Sequence, residues 1–374
     1  MKDLKIINER YLSLDGLRAY AAIGIMMMHV QATINIRPTG GFLYNAFIPS
    51  LTNFVYLFLM ISAFAVCCGY YEKFKTGTIT PNDFYKKRYS RILPFFAILV
   101  LIDTFVPHAP NKWEMAHMAV SEASSGVTAF IHSIYDGFAQ LTLAFNLLPN
   151  PRPTIGVAWF LGVIFLFYMI FPFFVFMMDN KRRAWFSLLI CFVFCFMAVD
   201  YFLTDRFINW EMTRHCIVYD GPFLAMGGII YLYRDSVKSF VAKYRWLVLV
   251  VCVALTCCYW FIPSTHKGFL FVVLMTLITT GWLCYAIGVS SIVLNNKVVR
   301  YLSGISMEIY LCHMMCFRAV QMLHVDNYIR NIYVVYWITS ILTLAIAIVF
   351  SHVVKYIFLP KVSSLLTPKK AVNG

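Results

Sequence analysis

Residues 12–30, LSLDGLRAYAAIGIMMMHV, form an apolar run interrupted by two side chains foreign to lipid, Arg18 and His29. Read as a helix, the run separates these two by eleven positions, about 16 Å at ~1.5 Å rise per residue. Eleven steps of ~100° amount to three turns and about 20°, so both side chains leave the same side of the helix. A cation and a titratable imidazole on one face of a membrane helix mark a polar path rather than a lipid contact. Arg18 snorkelling to the head groups and His29 hydrogen-bonded near the far interface fit the same spacing. The stretch alone leaves both readings open.

The rest of the chain gives that helix its setting. Of 374 residues, 61% are hydrophobic and 13% charged, against about 25% charged in a soluble domain. With 34 Phe, 23 Tyr and 8 Trp, the composition is that of an integral membrane protein. The expected fold is all-α, a polytopic helical bundle of about ten spans forming one domain over 1–374, with no separate soluble part. A net charge of +14 invites a nucleic-acid partner. The basic residues sit in short loops beside the apolar runs, however, so the partner expected is the bilayer and not nucleic acid. The eleven Cys fall mostly inside apolar runs and show neither metal-ligand nor paired redox spacing. They read as small core residues, with no disulfide framework and no metal site. The N-terminus has no small-residue processing site, so the first span is expected to be retained.

Ten stretches are long enough to span, or nearly so: 12–34, 48–70, 92–106, 156–178, 184–203, 217–233, 246–262, 268–288, 302–324 and 331–354. With the N-terminus inside, 22 Lys and Arg fall on the cytoplasmic side and 8 on the other, with Arg18 within its span. That bias places both termini in the cytoplasm; the expected membrane is the cytoplasmic membrane of a bacterium. Thr80, Pro81 and Asp83 form a helix start by capping, N1 proline and first-turn acid. The helix then runs through PNDFYKKRYSR towards Pro94. Outside, residues 108–153 form a long, partly apolar segment expected to hold one or two surface helices, and a connection of that length is usually functional. No internal repeat or inverted halves are visible.

Three constellations carry chemistry. Arg88 and Arg91, at i and i+3, project from one side of a helix end at the cytoplasmic mouth. Guanidinium pairs suit phosphate, although positive-inside topology explains the same charges and spacing alone favours that explanation. Residues 303–313, SGISMEIYLCH, place Glu308 and His313 within an apolar run. A buried carboxylate needs a partner, and Arg18 at a similar depth is one candidate; a purely structural helix pairing is the other. Residues 158–172, AWFLGVIFLFYMIFP, read on their own as an aromatic core span.

Taken in order, these motifs resemble the acyltransferase-3 family of integral membrane acyltransferases over roughly residues 8–360. LDGLRAYAAIGIMMMH resembles the family's opening helix, a basic residue followed after ten others by His. LFLMISAF at 57–64 is similar to its "FFxxSGF" pattern, with Ala63 where Gly is usual. RYSRILP at 88–94 resembles its Arg-x-x-Arg motif, AWFLGVIFLFY at 158–168 its "WFL…FY" helix, FLAMGGIIY at 223–231 its Gly-Gly helix, and GISMEIYLCH at 304–313 its late "iSYxIYLxH" helix. Many members carry Glu five residues after the Trp and His just before it. Here those positions are Ile164 and Ala158, so an acceptor-side role for that Glu does not transfer.

The resemblance implies acyl transfer from cytoplasmic acyl-CoA, usually acetyl-CoA, to a hydroxyl of a surface or secreted glycan, free or lipid-linked. The acyl-CoA is a donor substrate and no cofactor is permanently bound. On this analogy Arg88 and Arg91 hold the CoA phosphates. His29 acts as general base or carries the acyl group. Arg18 steadies the CoA or holds Asp15 or Glu308, while Ser62, Trp159, Tyr168, Tyr310 and His313 support or line the tunnel. The rival reading is a transporter or flippase of a polar or lipid-linked substrate. Discontinuous helices or repeated halves would favour it, and the sequence shows neither.

Overall fold

The computed structural model describes residues 11–106, 127–143, 155–202, 216–262 and 268–366. Every regular element among them is helical. In chain order these are α1 (Leu12–Thr33), α2 (Leu43–Lys75), α3 (Pro81–Phe105), α4 (Val127–Leu141), α5 (Gly156–Met178), α6 (Lys181–Val199), α7 (Ile217–Leu232), α8 (Arg234–Lys243), α9 (Arg245–Phe261), α10 (Gly268–Gly288), α11 (Lys297–Gly304), α12 (Ser306–Gln321) and α13 (Ile332–Val362). Five of them, α2, α5, α6, α10 and α13, are long and apolar enough to cross a membrane. The bent pair α8–α9 makes a sixth if counted as one span. The structure thus shows a helical membrane protein.

Local chemistry accounts for the boundaries. Thr80 Oγ1 accepts from the Asp83 amide at 3.1 Å, and its hydroxyl donates to Asp83 Oδ2 at 2.8 Å, with Pro81 at the first helical position. From that cap α3 continues unbroken through Pro94 to Phe105, so the polar piece from Pro81 and the third apolar stretch are one helix. The stretch at 302–324 is not one continuous helix. It breaks at Ile305 between α11, capped at its start by the Asn296 side chain, and α12, and at the break Lys355 Nζ donates to the Gly304 carbonyl. The last span runs on past 354 through a widened π-helical turn, Val353–Phe358, which carries that same Lys355. A 99° bend separates α8 from α9. It falls in the polar joint 234–245, where Arg234, Lys238 and Lys243 place α8 at the interface and not in mid-membrane.

Packing centres on α7. A Cβ at Gly227 would stand 2.5 Å from the Met60 carbonyl oxygen of α2, and one at Gly228 would stand 2.5 Å from Phe174 Cζ of α5. Gly227 therefore lets α7 approach the backbone of α2, and Gly228 makes room for the Phe174 ring of α5. By contrast α6 and α9 expose Phe186, Leu189, Val193, Phe194, Trp246, Leu247 and Val250. In a bilayer such faces meet lipid at no hydrophobic cost. At the α2 and α5 ends Lys75 donates to Asp179 at 2.7 Å, and this bond holds the Asp179 carboxyl below its ordinary value.

Of the long segment 108–153, α4 is described and packs on α3, with Tyr89 Oη donating to the Leu141 carbonyl at 2.8 Å. The remainder of 108–153, apart from Thr142 and Leu143, lies outside the described residues.

Candidate functional site

The predicted residues gather at two levels. At the upper one, α1 and α12 bring His29 against His313, with ring centroids 5.2 Å apart and planes at 41°. His313 is fully buried. Its Nδ1 lies 2.6 Å from the Tyr310 carbonyl oxygen. A carbonyl only accepts, so Nδ1 carries the proton and Nε2 presents a lone pair. That Nε2 is buried and has no hydrogen-bond partner. A buried acceptor without a donor is costly, and at a site of this kind it is the place a substrate proton or hydroxyl would occupy. Tyr310 turns its hydroxyl away to the Val157 carbonyl at 3.0 Å and packs its ring on Phe58 and Phe160. It supports the wall between α12 and the start of α5, where Trp159 is buried against Phe160.

The lower level is cationic. Arg18 has Asp15, Arg91, Tyr168 and Cys68 as its ionisable neighbours. Asp15 also accepts from Ser303 Oγ at 3.1 Å, tying α1 to α11. Arg88 lies over Tyr70 at 4.4 Å, Tyr168 at 5.5 Å and Phe84 at 5.8 Å. Three ring faces hold its guanidinium, yet its Nε is buried with no hydrogen-bond partner. Arg91 is exposed at the mouth. Among the described residues no carboxylate lies within ion-pair distance of Arg18, Arg88 or Arg91. Ser62 belongs to a stripe of partly exposed positions on the otherwise sealed α2, with Ala65, Cys68 and Gly69. Steps of three and four put these on one side of the helix.

One expected pairing is absent. Glu308 does not take Arg18; its Oε1 is 2.6 Å from Lys355 Nζ. The widened turn of α13 brings that lysine to the α11–α12 break, an arrangement that no linear spacing predicts. Of the two acids offered for Arg18, Asp15 is the one beside it. Sequence reasoning also missed the buried pair of Asp103 on α3 and Arg318 on α12. A signal for it existed, since Asp103 is a lone carboxylate in an apolar run; Arg318 was counted only as an outer charge. No group of three or more His, Cys, Asp or Glu placed to hold a metal occurs among the described residues.

Known proteins place the chain in a family. The family model described as an acyltransferase domain, of the acyltransferase-3 type, matches residues 11–357. The protein called "Protein 2 in picA locus" from Rhizobium radiobacter is 31% identical over 94 residues, covering 25% of this chain and 44% of that protein. The chain therefore spans less than half the length of that curated relative. No solved structure matches.

Proposed function

The chain belongs to the acyltransferase-3 family of membrane acyltransferases, and on that premise we propose that it moves an acyl group, acetyl in the simplest case, from cytoplasmic acyl-CoA to a hydroxyl of a surface or secreted glycan. We take its topology as ten spans with both termini in the cytoplasm of a bacterial cell. All ten apolar stretches carry helix, which supports that count, and the 22-to-8 charge bias supports the orientation.

The observation that carries the reading is the His29–His313 pair with its buried, partnerless Nε2. In the proposed reaction His29 takes the proton of the acceptor hydroxyl as its oxygen attacks the thioester carbonyl. The C–S bond breaks, and the departing thiolate recovers the proton to leave as free CoA. His313, its tautomer fixed by the Tyr310 carbonyl, offers Nε2 as an acceptor beside the imidazolium that forms on His29. Below, Arg88 and Arg91 hold the CoA phosphates through paired donors. Arg18 lies between that cluster and the histidines, and Asp15 steadies it. Ser62, Trp159, Tyr168 and Tyr310 shape the passage. Glu308, with Lys355, secures α12 and so the position of His313.

The test is acyl transfer by the purified protein in liposomes with acetyl-CoA and a bacterial glycan acceptor, followed by mass spectrometry of the glycan. An added acyl mass that depends on the protein is the expected result. Transport of the acceptor across the vesicle without any mass change would overturn the reading in favour of a carrier.

A further inference from the structure

Arg234, at the junction of α7 and α8, entered the sequence reading only as a topology charge. Its surroundings differ from those of a simple interfacial cation. Its guanidinium stacks on Tyr231 at 4.4 Å, and Nη1 donates to the Tyr231 carbonyl at 3.0 Å. One of its five donors is thereby used and the others remain. Among the described residues no carboxylate lies within ion-pair distance of it. By contrast Lys75, Arg183, Arg318 and Lys355 each have an acid partner.

Three residues of α2 connect Arg234 to the donor cluster. Cys68 is an electrostatic neighbour of both Arg234 and Arg18. Tyr70 carries Arg88 on its ring. Between them, a Cβ at Gly69 would meet nothing within 4 Å. Cys68, Gly69 and Tyr70 leave the helix at successive ~100° steps, so the Gly69 direction falls between the other two. Open space at Gly69 thus lies between the Cys68 position, which neighbours Arg18 and Arg234, and the Tyr70 position, which carries Arg88. Arg91 adds a fourth guanidinium beside Arg18, and Asp15 is the acid near that residue. Glu72 is the acid on the Tyr231 side, so four guanidiniums outnumber the two carboxylates near them.

We infer that Arg234 is a donor-binding residue and that the space at Gly69 receives the phosphates of the acyl-CoA, with Arg234 on the terminal phosphomonoester. This rests on the acyl-CoA reading above. CoA has two kinds of phosphate, an internal diphosphate and a 3′-phosphomonoester, the latter carrying about −1.5 to −2 charges at pH 7. Arg88 and Arg91 come from one wall, α3, at i and i+3, and suit the contiguous diphosphate. Arg234 comes from the opposite wall, at the interface end of α7, and suits the separate monoester at the end of the ligand furthest from the thiol. A guanidinium with free donors and no acid at ion-pair distance is prepared for such a group.

The experiment is equilibrium binding of CoA and of 3′-dephospho-CoA to the full-length protein in detergent. It uses wild type, Arg234→Ala, Arg234→Lys and Gly69→Leu, each first shown monodisperse with an unchanged melting profile. Wild type should prefer CoA. Arg234→Ala should lose tenfold or more in CoA affinity, hold its dephospho-CoA affinity within about twofold, and so lose the preference. Arg234→Lys should keep part of it, since the charge stays while the forked geometry goes. Gly69→Leu leaves every charge in place and should weaken both ligands. A preference for CoA unchanged in Arg234→Ala, or an equal fall for both ligands, would overturn the assignment. Unchanged binding in Gly69→Leu would overturn the placement, and this variant decides the matter if Arg234→Ala does not fold. A wild type that binds neither ligand would overturn the acyl-CoA reading itself.

Discussion

Two regions of the bundle treat charge in opposite ways. In one the cation is matched: Arg318 on α12 meets Asp103 on α3, both largely buried. In the other Arg18 has Arg91 as a neighbour and shares Cys68 with Arg234, while Asp15 and Glu72 are the nearby acids and no ion pair of these arginines or of Arg88 is at contact distance among the described residues. Like charges brought together without neutralisation cost stability, and a helix bundle tolerates that where an anionic ligand supplies the missing charge. A balanced pair holds helices; an unbalanced cluster waits for a substrate. The histidines stand between these two regimes, joined to neither by an ion pair among the described residues.

Substitutions can break this contrast, and the largest effect is expected at the histidines. His29→Ala should lower acyl transfer by about 10²–10⁴-fold, the usual worth of a positioned base, while acyl-CoA binding stays near wild type. His313→Ala should reduce the rate by less. Activity near wild type in His29→Ala would move the chemistry elsewhere.

Next is the balanced pair. Arg318→Ala leaves Asp103 buried without its cation and should cost about 3–5 kcal/mol of stability. The double variant with Asp103→Ala should recover much of that. Thermal melting in detergent reads both, and an Arg318→Ala protein as stable as wild type would remove the distinction between the two regions.

Smaller and opposite in kind is Arg88→Ala. Loss of charge-assisted bonds to phosphate should cost about 1.5–3 kcal/mol of CoA affinity, with no fall in melting temperature. It removes a guanidinium from a cluster of like charges and leaves no carboxylate stranded. Unchanged affinity in both Arg88→Ala and Arg91→Ala would return these residues to topology charges.

Sequence periodicity made much of this legible. The helical face shared by Arg18 and His29 and the Thr80 cap are local signals, and local signals survive in a linear chain. Each histidine was visible as an intruder in an apolar run. Their meeting was not, because it depends on α1 packing against α12, almost 300 positions away. Lys355 was hidden more deeply. It reads as a cytoplasmic topology charge, and only the widened turn at Val353–Phe358 brings it to Glu308. Arg234 was hidden by the same rule that found the orientation. A positive-inside count treats every inner cation alike, and only the positions of acids in three dimensions separate the neutralised ones from the rest.

The central claim is a division of labour across the membrane, donor held by inner cations and transfer carried out at the histidine pair towards the outer face. Proteoliposomes with the protein in one orientation test it most directly, with acetyl-CoA and glycan supplied on chosen sides. Acylated glycan should form when acetyl-CoA is on the side of the 234–245 joint and the glycan is on the other. Product formed only when both substrates share one side would contradict the account.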